Sequence, residues 1–260
     1  MNIFKFLTVM CAIGILLIKP GDASAGETGG EDSMVFKGRP VEISTDFAVF
    51  SKYIWRGFKL DNDPVAQSGV YINACGFNAS IWGNLDVSGR DGGKSDEVDY
   101  SVGYSYDLKN SLGAPLSVSG GYIYYDFPAS NANSQEFYLG LCVDDLPFSP
   151  SFTWYHDFED KDKGGGRGDY LAVKINKSIV LPDVPVTFNF GAHAGYNRRL
   201  FIKGHGGDIG LSAGIAYAVA KNCTFSPTVN YTIPLSGMKK TSDGGQKEEL
   251  FLGAVFAVSV

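Results

Sequence analysis

After residue 25 the sequence lacks any apolar run long enough to form a membrane-spanning helix. A helix of that kind needs about 20 consecutive apolar residues. The closed β-barrel is the other structure that can cross a bilayer, because it too pairs every backbone polar group internally. If this part of the chain crosses a membrane, we therefore expect it to cross with strands.

The chain is also poor in charge. Charged residues make up 19% of it, and the formal net charge is −6. Since no basic surplus exists, we predict no nucleic-acid partner. The glycine-rich segments 163–168 and 204–207 contain no Gly-Lys-Ser/Thr and do not open a helix, which argues against a nucleotide-binding phosphate loop.

Cysteine is scarce, and its number is odd once the leader is set aside. The remaining residues are Cys75, Cys142 and Cys223. An odd count argues against a disulfide framework, and the spacing fits no metal motif. We expect small side chains at strand ends near short turns, and one pair could still bridge. The sequence predicts neither a metal nor a cofactor.

Residues 1–25 have the features of a secretory signal peptide. Lys5 precedes the apolar segment 6–18, and Ala23-Ser24-Ala25 forms a small-residue cleavage site. An uncleaved anchor is the alternative, but the apolar segment is short for one. We predict a short periplasmic lead-in over 26–40 and one barrel domain over 41–260.

From residue 41 onward, apolar and polar residues alternate in segments that indicate about twelve strands. Leu211 and Ala213 share one face, and Ser212 and Gly214 share the other. A soluble sandwich and a membrane barrel both produce this alternation. The polar faces are mostly Gly, Ser, Ala and Asn, which suit a confined lumen. We therefore predict an all-β fold, an antiparallel transmembrane β-barrel.

The predicted connections alternate between short turns and long, polar, glycine-rich loops. Outer-membrane barrels place short turns on the periplasmic side and long loops outside. This predicts a location in the bacterial outer membrane. The long loops include residues 87–97, 127–135, 158–169 and 197–208; the short turns include 74–77 and 180–185.

Aromatic residues gather towards the predicted strand ends, as in the two interfacial girdles of a barrel. The predicted outer girdle contains Tyr53, Trp55, Tyr124, Tyr125, Phe127, Trp154, Tyr155 and Tyr196.

Residues 45–106 resemble a known family. The segment "DFAVFSKYIWRGFKLDNDPVAQSGVYI" contains Tyr-x-Trp-Arg-Gly, and "GFNASIWGNLDV" is followed by "DEVDYSVGYSYDL". These stretches are similar to the uncharacterised bacterial exported family labelled Gcw_chp, whose members carry "Y-x-[FW]-R-G" and then "D-P-A-x-Q-x-G". That family has no established activity. The resemblance implies a barrel fold and an envelope location, and it transfers no site.

Strand parity selects side chains that would line the lumen. Arg56 is expected to pair with Asp61 or Asp63 at the pore mouth, because its planar fork matches a carboxylate. Acidic residues outnumber basic ones on the inward parity, so a conducting lumen should favour cations. The lumen-lining candidates are Asp46, Arg56, Asp99, Glu136, Asp157, Lys174 and His193.

Three functions remain open from the sequence. The leading one is a passive pore for small solutes with a narrow lumen. The second is a non-conducting barrel whose outer loops bind surface polysaccharide or proteins. The third, a lipid-modifying enzyme, would need a His–Ser pair such as His193 and Ser212, and an inward orientation disfavours it. Expected partners are outer-membrane lipid, lipopolysaccharide, the barrel-assembly machinery and a small solute.

Overall fold

A computed structural model describes residues 35–36, 39–90, 92–109, 113–143, 146–240 and 245–260. Twelve antiparallel strands form one sheet that closes on itself, so the predicted barrel is confirmed. The proposed signal peptide and most of the proposed lead-in lie outside the described residues. Within those residues, no helix is long and apolar enough to cross a membrane.

The strands are numbered in chain order. Their bounds are β1 Val35–Phe36, β2 Arg39–Phe50, β3 Tyr53–Trp55, β4 Phe58–Asp61, β5 Val65–Ala74, β6 Phe77–Asp86, β7 Glu97–Asp107, β8 Leu116–Phe127, β9 Ala132–Val143, β10 Ser151–Asp157, β11 Asp169–Val180, β12 Val186–Arg198, β13 His205–Ala220, β14 Cys223–Ser236 and β15 Glu249–Ser259. The twelve wall strands are β2 and β5 to β15, and each pairs with the next wall strand along the chain. β1 pairs with the start of β2, and β3 and β4 form a separate hairpin. A short 3-10 helix spans Gly237–Lys240.

The barrel closes where the last strand meets the first. In that pairing Phe256 of β15 lies opposite Phe47 of β2. On its other side β2 pairs with β5, ending with Phe50 opposite Val65. Closure removes both sheet edges, and this is what allows a sheet to exist in hydrocarbon.

The two faces of the wall differ as the sequence pattern predicts. The outward face carries exposed apolar side chains such as Leu211, 48% exposed, and Ile81, 55% exposed. The inward face carries buried polar side chains such as Thr187 and Asn189 on β12. A soluble protein rarely exposes so continuous an apolar surface. Successive side chains of a strand point to opposite faces, which explains the contrast.

The two ends of the barrel also differ. The short-turn end carries the connections 75–76, 108–115, 144–150, 181–185 and 221–222, and the long-loop end carries 51–64, 87–96, 128–131, 158–168, 199–204 and 237–248. Two loops are shorter than predicted. The wall strands β9 and β13 already begin at Ala132 and His205, because Asn133 and Ser134 pair with β8 and residues 206–208 pair with β12.

Small inward residues make room for tyrosine rings inside the barrel. A Cβ added at Gly69 would lie 2.3 Å from the Tyr71 hydroxyl oxygen, and one at Gly103 would lie 2.3 Å from that of Tyr138. Both distances are well below van der Waals contact. Glycine is therefore required where a lumen ring lies flat against the wall.

Candidate pore constriction

The connection between β2 and β5 folds into the barrel. Because Phe50 and Val65 are paired, residues 51–64 are not needed to continue the wall. They form the hairpin of β3 and β4, here called the lumen hairpin (Tyr53–Asp61). Tyr53, Phe58 and Asp61 are buried, although they belong to a loop.

A buried ion pair fixes the tip of the lumen hairpin. Arg56 donates two hydrogen bonds to Glu136 of β9, Nη1 to Oε1 at 2.6 Å and Nη2 to Oε2 at 2.8 Å. The two side chains are only 9% and 1% exposed. Tyr125 donates a further hydrogen bond to Glu136 Oε2 at 2.7 Å. Two-pronged contacts of this kind are among the stronger protein hydrogen bonds.

Aromatic rings surround the Arg56 guanidinium. Its Cζ lies 4.4 Å from the ring centroid of Trp55, 4.1 Å from that of Tyr155 and 4.8 Å from that of Tyr170. These distances are within the range of cation–π attraction. Burial acts to lower the pKa of Arg56, but the Glu136 carboxylate outweighs it and raises that pKa. The guanidinium therefore stays charged.

The two strands of the hairpin are fixed to the same side of the barrel. Tyr53 donates to Glu97 Oε2 at 2.7 Å, and Ser95 donates to Asp61 Oδ2 at 2.6 Å. Burial, and then the nearby Glu97 carboxylate, raise the pKa of Tyr53 well above its usual range. Its phenol therefore remains a donor at any ordinary pH.

Glycine is needed at the hairpin tip. Gly57 has a φ of +78°, and a Cβ there would lie 2.6 Å from Asp208 Cβ on β13. Asp208 is fully buried and accepts hydrogen bonds from Tyr170 at 2.8 Å and from His193 at 2.7 Å. In the Arg-Gly pair of the family-like motif, Arg56 therefore supplies the charge at the hairpin tip, and Gly57 allows the tip to approach β13 closely.

Loops cover the hairpin from the long-loop end. Phe58 packs with buried Ile202 and Met238, and Phe201 lies edge-on to Trp55 with ring centroids 6.0 Å apart. These contacts come from the connections 199–204 and 237–248. The lumen at this end is therefore filled by the hairpin below and by two loops above.

The structure corrects two expectations about this region. Arg56 pairs with Glu136, not with Asp61 or Asp63; Asp61 accepts from Ser95, and Asp63 pairs with Arg90. The predicted outer aromatic girdle is also wrong in part. Several of its members point inward because the hairpin supplies an apolar surface there: Tyr53, Trp55, Tyr125 and Tyr155.

The other residues predicted for the lumen have different settings. Asp46 is buried and accepts from Tyr71 at 3.2 Å. Lys174 lies opposite His193 in the ladder between β11 and β12. Asp99 lies on β7, two residues from Glu97, and has one oxygen buried without a hydrogen bond.

Asp157 is a buried residue that holds a loop through hydrogen bonds. Its carboxylate accepts from the backbone amides of Glu159, Gly166 and Arg167 at 3.1 to 3.2 Å, and from the Ser134 hydroxyl. The side chain is 1% exposed. It therefore holds the 158–168 loop in place and is shielded from solvent.

The His193–Ser212 pair does not form in the ladder. His193 lies opposite Gly210, Ser212 lies opposite Gly191, and the His193 Nε2 is bonded to Asp208. Among the described residues, no group of His, Cys, Asp and Glu side chains could hold a metal ion.

Sequence reasoning missed four residues of the constriction: Tyr53 as a hydrogen-bond donor, Trp55, Glu97 and Asp208. One signal was present. Phe50 and Val65 each end an alternating segment, and the residues between them are more aromatic than an exposed loop should be. That composition indicates a loop that packs against protein.

Several solved structures share the fold. The KdgM porin aligns with a TM-score of 0.54 at 14% identity, covering 84% of this chain and 99% of that one; it has also been solved in complex with disordered oligogalacturonate. An outer membrane channel from Pseudomonas putida F1 aligns with a TM-score of 0.53 at 8% identity, covering 94% of this chain and 100% of that one. Identities this low establish the shared fold alone.

Sequence comparison gives the family. No curated protein sequence matches the chain. The family described as "Bacterial protein of unknown function (Gcw_chp)" matches residues 37–234, most of the chain. The protein therefore belongs to the Gcw_chp family of bacterial proteins.

Proposed function

We propose that the protein is an outer-membrane channel for small solutes, narrowed at its long-loop end by the lumen hairpin. The observation that carries the proposal is a polar-lined, closed barrel with a separately folded hairpin held across it by the Arg56–Glu136 pair. A hairpin inside the lumen would restrict the size of the solutes that can pass through the barrel.

The outward face supports the membrane location. Exposed Phe77, Ile81 and Leu85 follow one another along β6, each more than half exposed. In water such a band costs free energy, whereas in hydrocarbon it does not. The porin-like fold supports the same location.

The inward face supports an aqueous path. Below the hairpin, towards the short-turn end, the wall presents partly exposed hydroxyl side chains such as Ser80, Ser119, Ser212 and Thr228. Side chains that hydrogen-bond to water suit a channel interior. A barrel filled only for stability would favour an apolar interior.

The charges support small cationic or neutral solutes. Arg56 is neutralised by Glu136, while the carboxylates of Asp46 and Glu97 accept hydrogen bonds from the neutral hydroxyls of Tyr71 and Tyr53. Inward carboxyl groups such as those of Asp46, Glu97 and Asp99 outnumber inward cations such as Lys174, which favours an acidic lumen. The KdgM porin binds oligogalacturonate, an acidic sugar chain; an acidic lumen would repel such a solute.

Liposome swelling tests the proposal. Purified protein would be reconstituted, and influx of uncharged glycerol and of the trisaccharide raffinose would be compared. We expect glycerol to enter and raffinose to be excluded, because the hairpin and the loops packed on it narrow the lumen to a size that suits only the smaller solute. If folded protein gave no faster glycerol influx than protein-free liposomes give, the proposed pore would be contradicted.

A non-conducting barrel is the second candidate. It is favoured by the packing of Phe58 against Ile202 and Met238, which adds loop contacts over the hairpin. If wild-type protein admits no solute and removal of the hairpin also opens no path, this second function is the better one.

A further inference from the structure

We propose that the outward face of β10 to β13, at the long-loop end, binds the phosphorylated sugar headgroup of an outer-leaflet glycolipid. The site, here called the rim patch, contains Trp154, His156, Asp169, Tyr196, Arg198 and His205. It lies outside the barrel and takes no part in the pore. The proposal depends on the membrane location and not on conduction.

Asp169 organises one half of the rim patch. Its Oδ1 accepts from Trp154 Nε1 at 3.2 Å and lies 2.9 Å from His156 Nδ1. Its Oδ2 lies 3.7 Å from Arg198 Nε. The Trp154 and His156 rings stack with centroids 5.7 Å apart. One carboxylate thus orients an indole, an imidazole and a guanidinium on a single exposed surface.

The other half is a second ring stack on the adjacent strands. Tyr196 and His205 have ring centroids 6.5 Å apart at an interplanar angle of 27°. The ladder places Leu171 opposite both Trp154 and Tyr196, and places Arg198 opposite His205. The two halves are therefore neighbours on four consecutive strands.

The patch lies at the edge of the apolar band. Phe152 and Leu211 are exposed on the same outward face, nearer the middle of the strands. Residues beyond them towards the long-loop end reach the depth of lipid headgroups. Trp and Tyr prefer that depth, because one part of each ring system is apolar and another is polar.

The charge and shape of the patch match a phosphorylated sugar. Arg198 is 65% exposed, and its contact with Asp169 uses Nε. Arg199 and Lys203 are exposed in the next connection, so cations exceed the single carboxylate. Arginine binds phosphate oxygens with a fork of donors, and flat aromatic rings can pack against the apolar face of a sugar. Free phosphate would use the cations but not Trp154 or Tyr196.

Binding of defined lipids to the whole protein tests the proposal. Protein in detergent would be titrated with bis-phosphorylated lipid A, with dephosphorylated lipid A and with inorganic phosphate, and bound lipid would be counted by native mass spectrometry. The variants are Arg198→Ala and, as a matched control at the short-turn end, Lys221→Ala. Heat-modifiable migration on gels would verify folding of each.

We expect bis-phosphorylated lipid A to bind wild type and Lys221→Ala equally. Arg198→Ala should weaken it about tenfold, as expected for one charge-assisted hydrogen bond. Wild type should bind dephosphorylated lipid A no more tightly than Arg198→Ala binds bis-phosphorylated lipid A. Equal binding of both lipids to wild type, or an unchanged affinity in Arg198→Ala, would overturn the proposal. Full displacement of lipid A by millimolar phosphate would instead indicate a simple anion site and would also overturn it.

Discussion

The guanidinium of Arg56 and the carboxylate of Glu136 form a two-pronged ion pair inside the barrel, joining residues 80 positions apart in the chain. This pair connects the tip of the lumen hairpin to the wall. Removing one partner of a buried ion pair typically costs about 3–5 kcal/mol, because the other charge stays buried without compensation. The hairpin position should therefore be sensitive to either residue.

Glu136→Gln should release the hairpin and raise single-channel conductance. The amide keeps the size of the side chain but leaves the Arg56 charge uncompensated. Planar-bilayer recording measures the effect, and Glu42→Gln is the matched control, since Glu42 lies on β2 towards the short-turn end. Equal conductance changes in the two variants would mean that lumen charge alone, and not the hairpin, is responsible.

Gly57→Ala should expose the Arg56–Gly57 bond to trypsin. The new methyl group would lie 2.6 Å from Asp208 Cβ, and the backbone there has positive φ. Mass spectrometry of reconstituted protein would detect cleavage after Arg56, which wild type should resist. Gly89→Ala is the control, because Gly89 has a similar φ of +62° with no atom within 4 Å of the added Cβ. Protection of Arg56 in Gly57→Ala would show that the tip does not need glycine.

The strands could be predicted from the sequence because bilayer and lumen impose opposite polarity on alternate residues. The residues of β13 show this: Leu211 is outward and exposed, and Ser212 falls on the opposite face. The lumen hairpin could not be predicted in this way. Tyr53 and Trp55 continue the alternation of β2, so they looked like the end of a wall strand, and only tertiary pairing of Phe50 with Val65 separates them from it.

The Arg56–Glu136 ion pair could not be predicted from the sequence for a different reason. Arg56 was expected to find a carboxylate nearby in sequence, and Asp61 and Asp63 were the nearest. The actual partner, Glu136, is brought to the hairpin by barrel closure, which sequence spacing does not report. Glu136 was identified as inward by strand parity, so half of the pair was predictable and the pairing was not.

Gly69→Ala should destabilise the barrel, and Tyr71→Ser should relieve that effect. The atoms closest to an added Cβ at Gly69 all belong to the Tyr71 ring, at 2.3 to 2.7 Å. Urea unfolding of the single and double variants in lipid vesicles measures the coupling. Gly83→Ala is the control, with 3.5 Å to its nearest neighbour atom. Additive effects of the two substitutions would argue that the ring does not lie against Gly69.

Leu211→Arg should cost about 2–4 kcal/mol of folding free energy, as for a charge on the lipid face of a barrel near the midplane. Ser212→Arg should cost much less, because its side chain faces the polar lumen. Urea titrations of both variants in vesicles make the comparison. A larger loss for Ser212→Arg would reverse the two faces.

The central claim is that the lumen hairpin restricts a pore. Because Phe50 and Val65 are already paired, residues 51–64 can be replaced by an Asn-Gly turn, a sequence suited to a two-residue hairpin connection. Gel migration with and without heating would verify that the shortened protein folds. Its single-channel conductance should clearly exceed that of wild type recorded under the same salt and voltage. A folded variant whose conductance is no larger than wild type would contradict the account.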